Sequence, residues 1–411
     1  MATHEITAGF MPLLDSSLLL VAYDKGFAEA EDIALTLVKE TSWANIRDRM
    51  AVGHFNVAHL LAPMPIAYNL GLTPLSTRTI APMSLGLGGN AVTVSNTLWA
   101  EMEINGATTN LDALVNGKAL KGAAAARRVA GREPLRFAVV HPHSGHNYEL
   151  RYWLAGCGIN PEGEVEIVVV PPPLMADALA AGRIDGYCVG EPWNTVAALA
   201  GVGHIATVKA AIWKSSPEKV LGVAEAWAET HPDALGALLR ALYRAATWAD
   251  SPANRAELAE MLARPDYLGL SAEAMLPALS GRVRTGDGKD VQVDDFFVPL
   301  RKAANFPWIS HALWYYTQMV RWGHVAHTPE NLAIARDCYR PDLYRSALKP
   351  LGVALPGANS KVEGALRVAT AVGATGAGLV LGPDGFFDGQ IFDPDEVDGY
   401  IAAQKSARAQ A

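Results

Sequence analysis

The chain has 411 residues, of which 50% are hydrophobic and only 18% are charged, a composition that predicts a folded protein of two or three domains and excludes a disordered polymer. The 42 acidic and 34 basic residues give a net charge of −8 without a long basic cluster, which argues against direct binding of nucleic acid. Near the N-terminus the longest apolar run is too short for a signal peptide or a membrane span. With three dispersed cysteines as well, we expect a cytoplasmic protein with free thiols and no membrane contact.

Strand and helix patterns alternate along the first hundred residues. Strands are predicted at residues 6–10, 34–38, 55–60 and 91–94, and helices at residues 16–28, 45–52 and 64–70. This alternation is typical of a parallel sheet covered by helices.

A second set of alternating elements follows a polar helix at residues 111–129. It comprises strands at 135–140, 165–170 and 184–189, with a helix at 147–155 and another that ends near residue 182. A strand at residues 220–224 returns to the first set, and almost everything after residue 227 has helical patterns, including residues 232–248 and 312–322.

These patterns predict an α/β fold with two lobes, a hinge and a ligand cleft between the lobes. We divide the chain into a first part of lobe I (1–100), lobe II (101–215) and a return to lobe I with C-terminal helices (216–350). The Gly- and Ala-rich residues 351–411 are expected to form a loosely ordered extension that packs back on the body.

No catalytic signature is present: the sequence lacks a GxSxG elbow, a phosphate-binding lysine loop, an HExxH helix and a paired-cysteine zinc site. His141, His143 and His146 are close in sequence, but they span a strand end and a Pro/Gly turn, so a metal site is disfavoured. We expect neither catalytic residues nor a metal.

Three positions instead have features that suit a small anion. Gly145 and His146 lie at the predicted start of a helix, where backbone N–H groups and the helix dipole favour negative charge, although the segment could equally be a plain helix cap. Trp43 could cover a planar ligand or pack between the lobes, and Lys219 could pair with an anion near the hinge or be a solvated charge.

Several blocks of the sequence resemble the NrtA-like nitrate-binding family, which has the type II periplasmic-binding-protein fold and is related to cyanobacterial bicarbonate-binding proteins. The resemblance covers most of the chain, and its most specific blocks are RYWLA at residues 151–155 and VGEPWN at residues 189–194. Further matching blocks lie at residues 11–16, 42–43, 58–65 and 217–219.

The resemblance implies a nitrate site between the lobes. Its tryptophan, histidine and lysine fall on Trp43, His146 and Lys219, and its amide falls on Asn90, where the similar transport proteins carry a glutamine. Nitrate is a planar monoanion with acceptor oxygens only, so such donors suit it. Bicarbonate carries an O–H group that would favour a carboxylate acceptor. Because Glu218 lies next to Lys219, bicarbonate remains an alternative ligand. No cofactor is implied.

The members of this family without a leader resemble NasS, a cytoplasmic nitrate/nitrite sensor. In those systems the anion releases a NasT-like ANTAR-domain protein, an RNA-binding antiterminator, and thereby turns on nitrate assimilation genes. We therefore expect a nitrate or nitrite sensor with a NasT-like partner. The alternatives are the nitrate- or bicarbonate-binding component of an ABC transporter, a scaffold without a working pocket and, more remotely, an enzyme like the thiamine-pyrimidine synthases, which share the general fold.

Overall fold

The computed structural model describes residues 4–75, 77–375 and 378–410. The strands up to residue 95 are β1 (His4–Phe10), β2 (Ile33–Lys39), β3 (Val57–Leu61), β4 (Thr79–Ser84), β5 (Leu87–Gly88) and β6 (Asn90–Ser95). The helices of this part are α1 (Ser17–Asp24), α2 (Trp43–Ala51), α3 (Met64–Asn69) and α4 (Asn96–Ile104).

The middle of the chain again alternates strands and helices. Its helices are α5 (Ala113–Val129), α6 (Gly145–Gly156), α7 (Met175–Ala180), α8 (Trp193–Leu199) and α9 (Lys209–Ile212). Its strands are β7 (Leu135–Val139), β8 (Val165–Val169), β9 (Gly186–Gly190), β10 (Gly203–Val208) and β11 (Lys219–Ala224).

The last part contains long helices and short hairpin strands. The helices are α10 (Glu225–Thr230), α11 (Pro232–Asp250), α12 (Arg255–Leu262), α13 (Ala272–Leu279), α14 (Ile309–Arg321), α15 (Pro329–Cys338), α16 (Pro341–Leu348) and α17 (Val397–Gln410). The strands are β12 (Arg282–Arg284), β13 (Asp290–Gln292), β14 (Phe297–Val298), β15 (Leu355–Pro356), β16 (Thr370–Val372), β17 (Ala374–Thr375) and β18 (Leu379–Leu381). None of the helices in the described part combines the length and the hydropathy that a bilayer span requires.

Two five-stranded sheets form the two lobes of this α/β fold, as the sequence predicts. Their strand orders are β2-β1-β3-β11-β4 and β10-β6-β9-β7-β8. The sheets are mixed rather than parallel: β11 runs antiparallel to β3 and β4, and β6 runs antiparallel to β9 and β10. The antiparallel strands are those through which the chain passes between the lobes, so they do not follow a helix of their own sheet.

The chain enters the second lobe at β6, because β6 pairs with β9 and β10 and α4 packs on α5. Residues 90–104 therefore lie with the second sheet, whereas the sequence-based division places residues 1–100 together in the first lobe. The chain returns to the first sheet at β11, whose first residue is Lys219.

The C-terminal part covers both lobes. Helix α11 packs on α1 and α16, while α14 packs on α6 of the second lobe and on α17. Phe386 stacks on Trp213 with ring centroids 4.7 Å apart and contacts Trp314 of α14. A buried cluster in the extension pairs Lys361 with Glu363 and with Asp384 Oδ2 at 2.8 Å. Glu363 Oε1 also accepts a hydrogen bond from Ser310 Oγ of α14 at 2.7 Å. Aromatic packing and this buried cluster thus attach the extension to the body.

Candidate functional site

The two lobes meet at a group of polar side chains at the ends of strands and the starts of helices. The first lobe contributes Asp15, in the turn after β1, Trp43, the first residue of α2, and Lys219. The second lobe contributes Asn90, the first residue of β6, and His146, in the first turn of α6. Asn90, His146 and Lys219 are 0% exposed and Trp43 is 1% exposed. The lobes enclose these side chains and withdraw them from water.

Helix α6 directs its N-terminus toward this group. Its cap is Ser144, whose Oγ accepts a hydrogen bond from Asn147 N at 3.0 Å, so the cap geometry expected from the sequence is present. Gly145 leaves no room for a side chain: an added Cβ would lie 2.6 Å from Glu218 Oε2 and 3.1 Å from the Tyr315 hydroxyl. The glycine therefore lets the first lobe close directly against the helix backbone.

Lys219 is already paired with two carboxylates. Its Nζ lies 2.7 Å from Asp15 Oδ2, 2.7 Å from Glu218 Oε1 and 5.7 Å from the centroid of the Trp43 ring. His146 Nε2 lies 3.3 Å from the same Glu218 Oε1. Glu218 Oε1 thus stands between the lysine of the first lobe and the histidine of the second.

A second lysine extends this arrangement. Lys209 Nζ lies 2.5 Å from Glu218 Oε2 and 2.6 Å from Glu149 Oε1, and it donates to the Pro217 carbonyl at 2.5 Å. The Tyr315 hydroxyl of α14 contacts both Glu149 Oε1, at 3.1 Å, and the Pro217 carbonyl, at 2.9 Å. Side chains from α6, α9, α14 and the segment before β11 therefore share one buried network.

His59 of β3 orients Asp15 from the other side. Its Nε2 lies 2.8 Å from Asp15 Oδ1, while Met11 N donates to its Nδ1 at 3.4 Å. Because Nδ1 accepts, the neutral ring carries its proton on Nε2 and can donate it to the carboxylate. The His59 ring also lies 5.3 Å from the Trp43 ring, centroid to centroid.

Several buried polar atoms of the group have no hydrogen-bond partner among the described residues. They include Asn90 Nδ2 and Oδ1, Trp43 Nε1, His146 Nδ1 and Ser216 Oγ. The absence of a side chain at Gly190 keeps Asn90 close to Asp15, since an added Cβ would lie 3.3 Å from Asn90 Oδ1 and 3.4 Å from Asp15 Oδ2. Buried donors without acceptors are costly, so a ligand that brings acceptor oxygens would be stabilised here.

Burial and neighbouring charges shift the pKa values of these groups in different directions. Burial would raise the pKa values of both carboxyl groups, but Lys219 and His59 outweigh it at Asp15 and hold its pKa well below the usual range. At Glu218, His146, Lys209 and Lys219 outweigh burial and lower the pKa to about 2. Burial lowers the pKa of Lys219, but Asp15 and Glu218 reverse this and raise it. Burial lowers the pKa of His146 to about 3, so its ring is neutral at pH 7.

The structure brings all five site residues predicted from the sequence into this one group: Trp43, Asn90, Gly145, His146 and Lys219. Trp43 contacts Lys219 and the His59 ring, which both belong to its own lobe, so these contacts are not the packing between lobes that was the alternative for this residue. Lys219 is the first residue of β11, wholly buried, and is therefore not a solvated charge.

Sequence reasoning did not identify Asp15, Glu149, Lys209 or Tyr315 as part of the site. Two sequence features could have identified the first two of these residues. Asp15 is a lone acid in an apolar N-terminal run, and Glu149 lies three residues after His146 on the same helix face. Tyr315 carried no comparable signal, because its partners Glu149 and Pro217 are distant in sequence. Lys209 lies only nine residues before Glu218, but no sequence pattern indicates that the chain between them turns back to pair the two side chains.

The histidines near the start of α6 take separate roles. His143 Nδ1 lies 3.0 Å from the Tyr148 hydroxyl, which also lies 2.9 Å from His324 Nδ1, whereas His146 faces Glu218. Within residues 4–75, 77–375 and 378–410, no set of His, Cys, Asp and Glu side chains has an arrangement suited to a metal ion.

The VGEPWN segment joins the lobes directly. Its Glu191 carbonyl accepts a hydrogen bond from Leu14 N at 2.8 Å, and Trp193 Nε1 donates to the Pro12 carbonyl at 3.1 Å. Both bonds connect the second lobe to the turn that carries Asp15. Separation of the lobes would break them, so they belong to the closed arrangement.

The model of the NMT1-like family matches residues 2–263. The chain is 32% identical to the nitrate/nitrite binding protein NrtA of Synechococcus elongatus over 412 residues, which covers 97% of this chain and 86% of the relative. It is 28% identical to the bicarbonate-binding protein CmpA of the same organism over 421 residues, with 98% and 87% covered.

A solved structure resembles the whole chain. The crystal structure of the periplasmic nitrate-binding protein NrtA from Synechocystis PCC 6803 superposes with a TM-score of 0.84 and 26% identity and covers 98% of both chains. The two-lobed architecture is therefore shared over its full length.

Proposed function

The chain belongs to the NMT1-like family, among the NrtA-like nitrate-binding proteins, and from that premise we propose that it binds nitrate or nitrite between its lobes. It is a binding protein and not an enzyme, as the similar proteins are. One observation carries the proposal: Lys219 of the first lobe and His146 of the second are wholly buried and approach the same point, with Glu218 Oε1 between them.

The donors around that point suit an anion without a proton. Nitrate offers three acceptor oxygens and no donor, and the group supplies an ammonium, an imidazole N–H, the Asn90 amide and the Trp43 ring. The Asn90 amide and Trp43 Nε1 have no other partner among the described residues. A ligand oxygen would satisfy them, and the flat face of Trp43 would limit the space to a planar group.

Glu218 favours a second candidate ligand, hydrogencarbonate. Its Oε1 lies where the two donors meet, 2.7 Å from Lys219 Nζ and 3.3 Å from His146 Nε2. An anion that carries an O–H could donate it to this carboxylate, whereas nitrate would face a like charge there. The similarity to CmpA, whose name states bicarbonate binding, is consistent with this alternative.

For the role of binding, we propose a cytoplasmic sensor that releases a NasT-like ANTAR-domain antiterminator when nitrate or nitrite binds. The anion would contact both lobes and so favour the closed arrangement, in which Leu14 N and Trp193 Nε1 bond across the lobes. A partner that prefers the open arrangement would then be released. The buried thiols of Cys157, Cys188 and Cys338 are compatible with a reducing compartment. Delivery of the anion to an ABC transporter is the alternative.

Calorimetric titration with nitrate, nitrite and hydrogencarbonate tests the ligand proposal. Saturable binding of nitrate or nitrite supports it, binding of hydrogencarbonate alone shifts the assignment to the second candidate, and no binding of any of the three refutes it.

Size-exclusion chromatography with a purified NasT-like protein tests the role. A complex that dissociates on addition of nitrate or nitrite supports the sensor. Anion binding without any complex, or with a complex that ignores the anion, refutes the sensor and favours transport.

A further inference from the structure

Five charged side chains form one buried line of alternating partners across the lobe interface. The line runs Asp15, Lys219, Glu218, Lys209, Glu149, with successive N to O distances of 2.7, 2.7, 2.5 and 2.6 Å. All five are at most 4% exposed. Both lobes contribute, since Lys209 and Glu149 come from the second and the others from the first.

The positive and negative charges of the line are unequal in number when every group carries its usual charge. Three carboxylates face two ammonium groups, and burial lowers the pKa values of His59 and His146, so neither ring supplies a compensating charge at neutral pH. One negative charge is left over among buried side chains. A bound monoanion would add a second one, and an uncompensated buried charge is expensive.

Glu149 is the member of the line best suited to take up a proton. Its Oε1 receives both available donors, Lys209 Nζ and the Tyr315 hydroxyl, while its Oε2 has no partner among the described residues. In Asp15 and Glu218, in contrast, each of the two carboxylate oxygens lies within 2.8 Å of a nitrogen of a lysine or of His59. A proton on Oε2 would neutralise Glu149 and leave both of its existing contacts at Oε1.

The groups that face Glu149 come from four elements besides its own helix. They are Lys209 of α9, Glu218 before β11, Tyr315 of α14 and Cys188 of β9. Burial and the charge of Glu218 raise the pKa of Glu149 against the opposing effect of Lys209, to about 7. This raised pKa makes the carboxyl group of Glu149 able to gain a proton when a further negative charge enters the site.

We propose, building on the proposed function, that anion binding at this site is coupled to proton uptake by Glu149. The proton moves from solvent to Glu149 Oε2 as the monoanion enters beside Lys219 and His146, and the buried charge stays nearly constant. Glu149 does not contact the anion. It acts on the anion through Lys209 and Glu218, by changing the total charge of the buried line.

The sign of the pH dependence follows from linkage. The anion raises the pKa of Glu149, so the complex binds more protons than the free protein above pH 7. Affinity is greatest where Glu149 is protonated in both states, and it weakens as the pH rises through its free pKa. The limit for one proton is about a tenfold rise in Kd per pH unit.

Titration calorimetry with sodium nitrate, repeated at pH 8 in two buffers of different ionisation enthalpy, counts the protons taken up. We expect uptake approaching one proton per nitrate and a Kd that rises several-fold between pH 7 and pH 8. Glu149→Gln should abolish the uptake and hold Kd at its low-pH value. Glu363→Gln is the matched control, an equally buried lysine-paired carboxylate outside the site, and should keep wild-type proton uptake.

The infrared difference spectrum of the wild type, with and without nitrate, reports the same event without a variant. A new protonated-carboxyl band at pH 8 supports the coupling. Nitrate binding without proton uptake, or uptake that persists in Glu149→Gln because it occurs at His146 or Glu191, overturns it. A wild type that binds no nitrate at either pH refutes the proposed function itself, and the coupling falls with it.

Discussion

Replacing Lys219 by alanine should destabilise the fold as well as the site. The substitution removes the only side chain that contacts both Asp15 and Glu218 within the described part of the chain, and it leaves two buried carboxylates facing one another across the vacated space. Breaking a buried ion pair costs about 3–5 kcal/mol, because the remaining charge has lost its partner but not regained water. We expect a loss of that size in the free energy of unfolding at pH 7.

The loss can be measured by thermal and urea unfolding, followed by the fluorescence of the 10 tryptophans. An unfolding entropy of about 2.1 cal/mol/K per residue gives a chain of this length about 0.9 kcal/mol/K, so the apparent Tm should fall by about 3–6 °C. In the wild type the depressed pKa of Asp15 stabilises the fold above the pKa of the unfolded chain, and this contribution is lost as the pH falls. In the variant Asp15 keeps only the neutral His59 ring as a partner, so burial should raise its pKa, and the deficit should be largest at neutral pH and shrink toward pH 5.

Lys118→Ala is the matched control, because Lys118 is an exposed lysine on α5 and its loss should change Tm little. The double substitution Asp15→Asn with Lys219→Met should recover part of the lost stability, since it removes one of the stranded charges. If Lys219→Ala unfolds at the wild-type temperature and urea concentration at pH 7, Lys219 does not neutralise these carboxylates and the buried line of charges does not exist as described.

Three further substitutions test other parts of the structure. His146→Leu removes a neutral donor of the site, and nitrate affinity measured by calorimetry should fall by about tenfold; an unchanged Kd would remove His146 from the site. Gly145→Ala places a Cβ 2.6 Å from Glu218 Oε2 and should lower both Tm and nitrate affinity, whereas Gly399→Ala, whose Cβ would meet open space on α17, should not lower Tm. Lys361→Met strands the two buried carboxylates of the C-terminal extension, so limited proteolysis should cut residues 357–392 faster than in the wild type, and equal rates would show that this cluster does not attach the extension.

Most of the two-lobed fold was predictable because its strands and helices have the periodicity of half-buried elements. β1, β2, β3, β7 and β8 appear within two residues of their predicted positions, as do α6 and α11. The sequence pattern does not predict β4, since Pro82 interrupts it, and the structure places β4 at an edge of the first sheet, where a strand tolerates proline. The antiparallel direction of β6 and β11 was not predictable from alternation, because it depends on where the chain crosses between the lobes.

The positions of the site residues followed from the family resemblance, but their pairing did not. Lys219 and Asp15 are 204 residues apart in sequence, and no local pattern indicates that they share an ion pair. Glu149 and Lys209 likewise come from different elements. The sequence alone does not show which charges lie near Lys219. In the folded chain its ammonium group is paired with the carboxylates of Asp15 and Glu218 even without a ligand.

This prior pairing changes what determines ligand choice. An anion that enters beside Lys219 gains less than it would from an unpaired ammonium, because Asp15 and Glu218 already offset that charge at 2.7 Å. Discrimination between anions then depends on the uncharged donors, chiefly the Asn90 amide and Trp43 Nε1, and on whether Glu218 receives a proton donor or faces a like charge. In the proposed function, the choice of anion therefore depends less on the paired lysine than on these uncharged donors and on Glu218.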